Sequence, residues 1–198
     1  MPKSALVIGC ASCVWDDIKV AKALGNYDAV YCVKQIGIHY PDKFDVWVTL
    51  HPEAMDAYEA QRKNLQLPDG YQIVAPPKGE LSASHKDKGN INRRVSYLWP
   101  GAATNASASS GIYGAKVAME DGFDRIVLAG IPMTAEGGHF LPETKNVQGA
   151  VRGKVWKDHN VFVCGFNEAI PRLKGKVKSV SGYTKHLLGA PTSEWLTE

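Results

Sequence analysis

The sequence predicts an α/β fold in three layers, with a mainly parallel sheet covered by helices on both faces. Two observations carry this. Short apolar stretches of strand character alternate along the chain with longer stretches of helical spacing. Strands that alternate with helices form parallel sheets whose two faces are both covered. The second observation is size: 198 residues make one sizeable domain with its own core and are too few for two ordinary ones. The expected organisation is a single domain over residues 1–198.

The elements follow in order. "SALVIG" (4–9) reads as a short buried strand ending in glycine. "VWDDIKVAKALG" (14–25) has Val14, Ile18, Ala21 and Leu24 on one helical face, with Gly25 suited to its end. "DAVYCV" (28–33) and "FDVWVTL" (44–50) are the second and third strands. "PEAMDAYEAQRKN" (52–64) begins with proline and acids and ends with Arg62 and Lys63, the charge order that a helix dipole favours. "YQIVA" (71–75) is the fourth strand. Residues 76–106 are rich in Pro, Gly, Ser, Asn and Lys and read as one long loop or lid. "ASASSGIYGAKVAMEDGF" (106–123) is a helix capped by Ser109 or Ser110 and stopped by Gly122. "DRIVLAGIP" (124–132) is the clearest strand in the chain. "NVFVCG" (160–165) reads as one more strand, and the tail after Ser181 as a short helix with an extended end.

Composition narrows the function. Apolar residues at 44% and charged residues at 22% mark a soluble globular chain. A net charge of +3 gives no dense basic surface, so nucleic acid is not indicated. No apolar run is long enough to span a membrane, and "MPKSALVIGC" lacks the features of a secretory signal. Four cysteines do not make a disulfide scaffold, so a reducing, cytoplasmic setting is expected. Oligomer formation is left open.

In parallel α/β folds ligands sit beyond the carboxyl ends of the strands, and that rule selects the candidate residues. "GCASC" (9–13) lies between a strand and a helix. The Cys10–Cys13 pair has the spacing of a redox couple or of half a zinc site. It also reads as a turn of small residues, in which Gly9, Cys10, Ala11 and Ser12 let backbone N–H groups approach a phosphate. No G-x-G-x-x-G fingerprint is present. Ser109, Ser110 and Gly111 at the next helix start serve as caps or as an anion site, or as both. Lys34 and Gln35 follow the second strand, Gly130 lies near the end of the clearest one, and Thr134 follows it. His51 in "TLHPE", His139 in "EGGHF" and His159 in "WKDHN" are the candidate bases. Lys86, Lys88, Arg93 and Arg94 line either a solvated loop or a lid for an anion, with Tyr97 and Trp99 as stacking groups or anchors. No histidine spacing suits a metal.

Several of these stretches together resemble a known superfamily. "SSGIYGAKVAMEDGFDRIVLAGIPM" is similar to the central motif of the Campylobacter-type bacterial sialyltransferases, the motility accessory factors and the hydroxymethylpterin pyrophosphokinases. "VIGCAS" stands where that superfamily has a Gly-rich turn, and "DAVYCVKQ" and "DVWVTLHPE" resemble its second and third strands. The likeness covers roughly residues 4–140, and the tail "SVSGYTKHLLGAP" resembles small bacteriophage proteins.

The resemblance implies a Rossmann-like fold and a nucleotide-binding transferase. In the sialyltransferase branch the co-substrate is a cytidine nucleotide-sugar, and no group is bound covalently. Gly9 to Ser12 and Ser109 to Gly111 then contact the nucleotide, and His159 stands nearest the family's catalytic histidine. The chain departs from the pattern where the family carries two phosphate-holding tyrosines, which are Thr134 and Phe140 here. The family's aspartate is Pro132, its arginine falls near Ser107, and its second-strand asparagine falls at Val33 or Lys34. The pyrophosphokinase branch implies ATP with Mg²⁺, for which Asp16, Asp17 and Glu53 are the available carboxylates. A non-catalytic nucleotide-binding protein is the third reading.

Overall fold

A computed structural model describes residues 2–80, 89–100, 109–134, 138–141 and 159–198, with backbone alone at His159 and Val161. Seven strands form one sheet in the order β5-β4-β3-β2-β1-β6-β7, every neighbouring pair parallel. The strands are β1 (Ser4–Ile8), β2 (Ala29–Val33), β3 (Val46–Val48), β4 (Gln72–Ala75), β5 (Arg93–Arg94), β6 (Arg125–Ala129) and β7 (Val177–Ser179). The helices among the described residues are α1 (Val14–Leu24), α2 (Ile36–His39), α3 (Met55–Asn64), α4 (Ser110–Glu120), α5 (His159–Leu173), α6 (Gly182–Leu188) and α7 (Ser193–Thr197). A single 3₁₀ turn, Pro52–Ala54, leads into α3. This is the parallel α/β class that the alternation predicts, in the Rossmann-like form that the resemblance implies.

Alternate strand residues feed two cores, as a pleat of period two requires. Ala5, Val7, Tyr31, Val33, Val48, Ile126 and Leu128 point to one face, against Tyr113 and Val117 of α4 and Phe166 of α5. Leu6, Ile8, Cys32, Trp47, Val127 and Ala129 point to the other, against Val14 and Ile18 of α1 and Tyr58 of α3. No helix among the described residues is long and apolar enough to cross a membrane.

Three stretches differ from the sequence expectation. Residues 160–165, expected as a strand, lie inside helix α5. Six residues rich in Val and Phe look like a strand in isolation. The buried set Phe166, Ala169 and Leu173 shows the longer 3–4 spacing of a helix. The chain end is helix α7 and not extended: Thr192 caps it by accepting from Trp195 N–H (3.2 Å). Within 76–106, residues 93–94 add a strand to the sheet. Val95, Tyr97 and Trp99 are buried beside it. Tyr113 Oη donates to Val95 O (2.8 Å), and Arg93 pairs with Asp121 at the end of α4. Lys86 and Lys88 lie outside the described residues.

Arg62 of α3 sets the amino-terminal side of this body. It is 1% exposed, with Nε donating to Pro68 O (2.7 Å), Nη1 to Gly37 O (2.7 Å) and Tyr40 O (2.8 Å), and Nη2 to Asp42 O (3.3 Å). Its guanidinium lies 4.7 Å from the centre of the Phe44 ring. One planar fork thus satisfies carbonyls of α2, of the chain just after it and of the loop before β4. Arg62→Leu takes the guanidinium donor from the carbonyls of buried Gly37 and Tyr40 and of exposed Asp42 and Pro68. We expect a loss of about 3 kcal/mol or more, which is roughly 6–12 °C in melting temperature for a chain of this size. A thermal melt of the variant measures it; a fall of less than about 2 °C would contradict this role.

Candidate functional site

Strand β1 lies between β2 and β6. The chain leaves it in one direction, through β2 to β5, and returns to its other side to form β6 and β7. The carboxyl ends of β1 and β6 therefore mark the switch point at which such folds bind ligands. Ile131, just after β6, is the packing centre of that point. A side chain on Gly9 would bring its Cβ to 2.4 Å from Ile131 Cγ1. One on Gly111 would come to 2.8 Å from Cγ2. Only glycine lets the β1 turn and the start of α4 close on this residue from two sides.

The β1 turn is itself tied to the chain after β6. Gly9 N–H donates to Ala129 O (2.8 Å), Ala11 N–H to Gly130 O (3.1 Å) and Ser12 N–H to Gly138 O (3.1 Å). Phe140 N–H donates back to Cys10 O (3.0 Å), and Ala11 pairs with His139 as an antiparallel bridge. Three amides that the sequence offers to a phosphate thus meet carbonyls of the same chain. Ser12 keeps its side chain exposed. Phe140 fixes the tied segment: its ring stacks on His139 (4.8 Å between centres) and meets Trp15 (6.0 Å) and His39 (5.7 Å) edge-on.

A buried carboxylate secures the other side of the turn. Asp17 on α1 is 5% exposed. Its Oδ2 accepts from Gly130 N–H (2.8 Å), Ser181 Oγ (2.6 Å) and Cys13 Sγ (3.4 Å). It joins α1, the end of β6 and the end of β7. Asp16 beside it is exposed and pairs with Lys19 (3.2 Å). Burial pushes the Cys13 thiol up to about 11, against a lowering from Ser181 and with a further rise from Asp17. That is opposite to the shift that makes a redox thiol reactive. Cys10 Sγ donates to Val33 O (3.1 Å), and none of the four cysteines forms a disulfide.

The start of α4 is more open. Ser109 caps the helix, its Oγ accepting from Ile112 N–H (3.1 Å). The amides of Ser110 and Gly111 have no partner among the described residues, and both residues are half-buried. These unpaired donors and the helix dipole favour an anion here. Lys34 has a left-handed backbone (φ 55°), donates its N–H to Val48 O (2.9 Å) and accepts from Trp47 Nε1 (2.6 Å). Gln35 is 6% exposed, and its Oε1 has no hydrogen-bond partner among the described residues. Thr134 is half-buried at the end of the chain described after β6.

The three histidines fall differently. His139 is 2% exposed, and its Nδ1 accepts from Leu141 N–H (3.0 Å). His159 is the first residue of α5; its side chain lies outside what is described. His51 follows β3 and is held by its neighbours. Its N–H donates to Thr49 Oγ1 (2.8 Å), its carbonyl accepts from Ala54 N–H (3.0 Å), and its Nδ1 lies 3.0 Å from Glu53 Oε1.

The Mg²⁺ reading relied on Asp16, Asp17 and Glu53, which face solvent, the Gly130–Ser181 clamp and His51 respectively. No group of three metal-ligating side chains occurs among the described residues. A groove lined by Glu59, Arg62, Lys63, Leu67 and Tyr71 lies at the amino end of β4, across the sheet from this site.

Comparison with known proteins gives a likeness of fold. No family model matches the chain, and no curated protein matches it in sequence. The Campylobacter sialyltransferase CST-II, solved in complex with trisaccharide acceptor and CMP, aligns over 99% of this chain and 88% of its own. The TM-score is 0.60 at 12% identity. A variant of that enzyme with tyrosine replaced by phenylalanine, solved with CMP, aligns over 100% of this chain and 88% of its own, with a TM-score of 0.54 at 14% identity.

Sequence reading named the β1 turn, the α4 start and Gly130, and the fold brings all three together. It did not name Ser181 or Thr184. Thr184 Oγ1 donates to Ile131 O (2.7 Å) and so fixes the packing centre. Asp17 carried a legible signal. With Val14, Ile18 and Ala21 it occupies the i, i+3, i+4, i+7 face that packs on the sheet. The elevated Cys13 thiol predicts its reactivity. At pH 8, iodoacetamide should label exposed Cys164 roughly a hundredfold faster than Cys13. Asp17→Asn, which removes the neighbouring charge, should speed Cys13. Equal labelling of the two cysteines, mapped by mass spectrometry, would contradict the geometry.

Proposed function

We propose that the chain is a nucleotide-binding transferase that uses a nucleotide-sugar donor, a glycosyltransferase-like enzyme. The observation that carries this reading is the open amino end of α4 at the β1–β6 switch point. There the amides of Ser110 and Gly111 have no partner among the described residues, and Gly111 packs on Ile131. The fold it shares with an enzyme solved in complex with CMP and a trisaccharide acceptor adds support.

In this reading the phosphate of the donor sits on the α4 amides and the Ser110 hydroxyl. These stabilise the charge that grows on the leaving phosphate as the sugar departs. The β1 turn contributes shape and the exposed Ser12 hydroxyl, because its amides at positions 9, 11 and 12 are engaged. Gln35, with its buried and unpaired Oε1, lies beyond the neighbouring strand end and accepts from the nucleoside or from an ordered water. Lys34, Gly130 and Thr134 line the same edge.

Nucleotide binding should stabilise the fold. At about ten times its dissociation constant, CMP adds about 1.4 kcal/mol, or roughly 3–6 °C in melting temperature. Ser110→Glu places a negative charge where the phosphate sits and should weaken CMP about tenfold. The same change leaves the melting temperature of the free protein unaltered or slightly higher, because an acid suits a helix start. Undiminished CMP affinity in this variant, or no stabilisation of the parent by CMP, UMP or GMP, would remove the basis of the proposal.

A further inference from the structure

We infer that Gln35 reads the base of the nucleotide, by pairing its side-chain amide with the hydrogen-bonding edge of that base. The inference rests on the transferase reading above and concerns the part of the ligand that the α4 amides do not touch.

The first observation is an unmet hydrogen bond. Gln35 is 6% exposed, and its Oε1 is buried without a partner among the described residues. Its Nε2 also lacks a partner among the described residues but is not buried, so the tip of the amide is within reach of a ligand. Buried polar groups are nearly always paired, because an unpaired one costs stability that an apolar side chain of similar shape does not. Natural chains break that rule chiefly where a function compensates. A glutamine amide carries a donor and an acceptor side by side, as the edge of a base does. A half-turn about its last bond exchanges the two, so the same side chain fits cytosine or uracil.

Position is the second observation. Gln35 stands two residues past β2, the strand beside β1. The β1 turn reaches over this strand end, where Cys10 Sγ donates to Val33 O (3.1 Å). β2 is two strands from β6, a span of roughly 10 Å along the sheet edge. The start of α4 and Gln35 thus flank the β1 turn, whose residues 9–12 are Gly, Cys, Ala and Ser. Side chains this small leave room for a ribose above the turn, between a phosphate on α4 and a base at Gln35.

Aromatic rings lie on the same side. A spacing of four puts Gln35 and His39 on one face of the α2 turn. The His39 ring meets Phe140 edge-on at 5.7 Å, and Phe140 meets Trp15 at 6.0 Å. Trp15 is 38% exposed. Rings of this kind are surfaces on which a base stacks while polar groups bind its edge.

The experiment titrates the full chain and its Gln35→Met variant calorimetrically with CMP, UMP and ribose 5-phosphate, the last of which has no base. The parent should bind CMP and UMP at least about tenfold more tightly than ribose 5-phosphate. Gln35→Met should weaken CMP and UMP about tenfold and leave ribose 5-phosphate within about twofold. Without ligand, the variant should melt at the parent's temperature or up to about 4 °C above it, because it removes a buried polar group that has no partner. A parent that binds ribose 5-phosphate as tightly as CMP overturns the base reading and leaves the anion site on α4 standing. A variant that weakens ribose 5-phosphate as much as CMP overturns it too. So does one that keeps the parent's preference for CMP, which makes Gln35 Oε1 the site of a water only. A variant that fails to fold, or melts about 3 °C or more below the parent, makes the amide a structural group and removes the inference. A parent that binds none of the three ligands overturns the proposed function, and the base reading with it.

Discussion

The carboxylate of Asp17 is the interaction on which the rest of this structure depends. A parallel sheet with a switch point must gather loops that are far apart in sequence. Here one oxygen accepts from Gly130, Ser181 and Cys13, and so joins the first helix to the ends of two strands that form more than a hundred residues later. Three donors converging on one carboxylate oxygen hold it, and the elements that carry them, in a single arrangement. The amide of Gly130 held in this way positions Ile131, and Ile131 sets where the β1 turn and the α4 start come to rest.

That arrangement changes which amides are open at the switch point. In many nucleotide-binding folds the first turn offers its amides to the phosphate. Here the segment 138–141 lies along that turn and accepts or donates through its backbone. The turn becomes a structural seam, and the donors at the switch point without a partner among the described residues belong to α4. The same seam explains Cys10 and Cys13. Each thiol hydrogen-bonds to a neighbouring oxygen, and the spacing that suggests a redox pair reflects only the tightness of the turn.

Much of the fold was legible because its signals are local. β1, β2, β6, α1 and α4 each carry a complete apolar pattern with a cap or a stop within their own residues. What stayed hidden depends on distant partners. β5 is two arginines, which have no strand pattern of their own and are placed by Ala75 and by the links to α4. The strand read into 160–165 shows the opposite failure, a convincing local run overruled by the longer helical face of α5. For the site, the small-residue turns were readable, since glycine and serine at strand ends have few other uses. The pairing of Ala11 with His139 was not, because an isolated bridge across more than a hundred residues leaves no trace in either sequence. The His51–Glu53 contact is local, yet it depends on the 3₁₀ turn that brings i and i+2 together.

The two margins of the sheet have a consequence for assembly. β5 is only two residues long and carries arginine at both. β7 is three residues long with a lysine at its centre, and on its outer side Ser179 N–H already donates to Gly189 O (3.1 Å). Short, charged or already bonded borders do not template another strand. Copies of this chain therefore cannot extend the sheet from one molecule to the next along the described borders. Among the described residues that leaves helix faces and loops for contact between copies, where surface substitutions do not disturb the sheet.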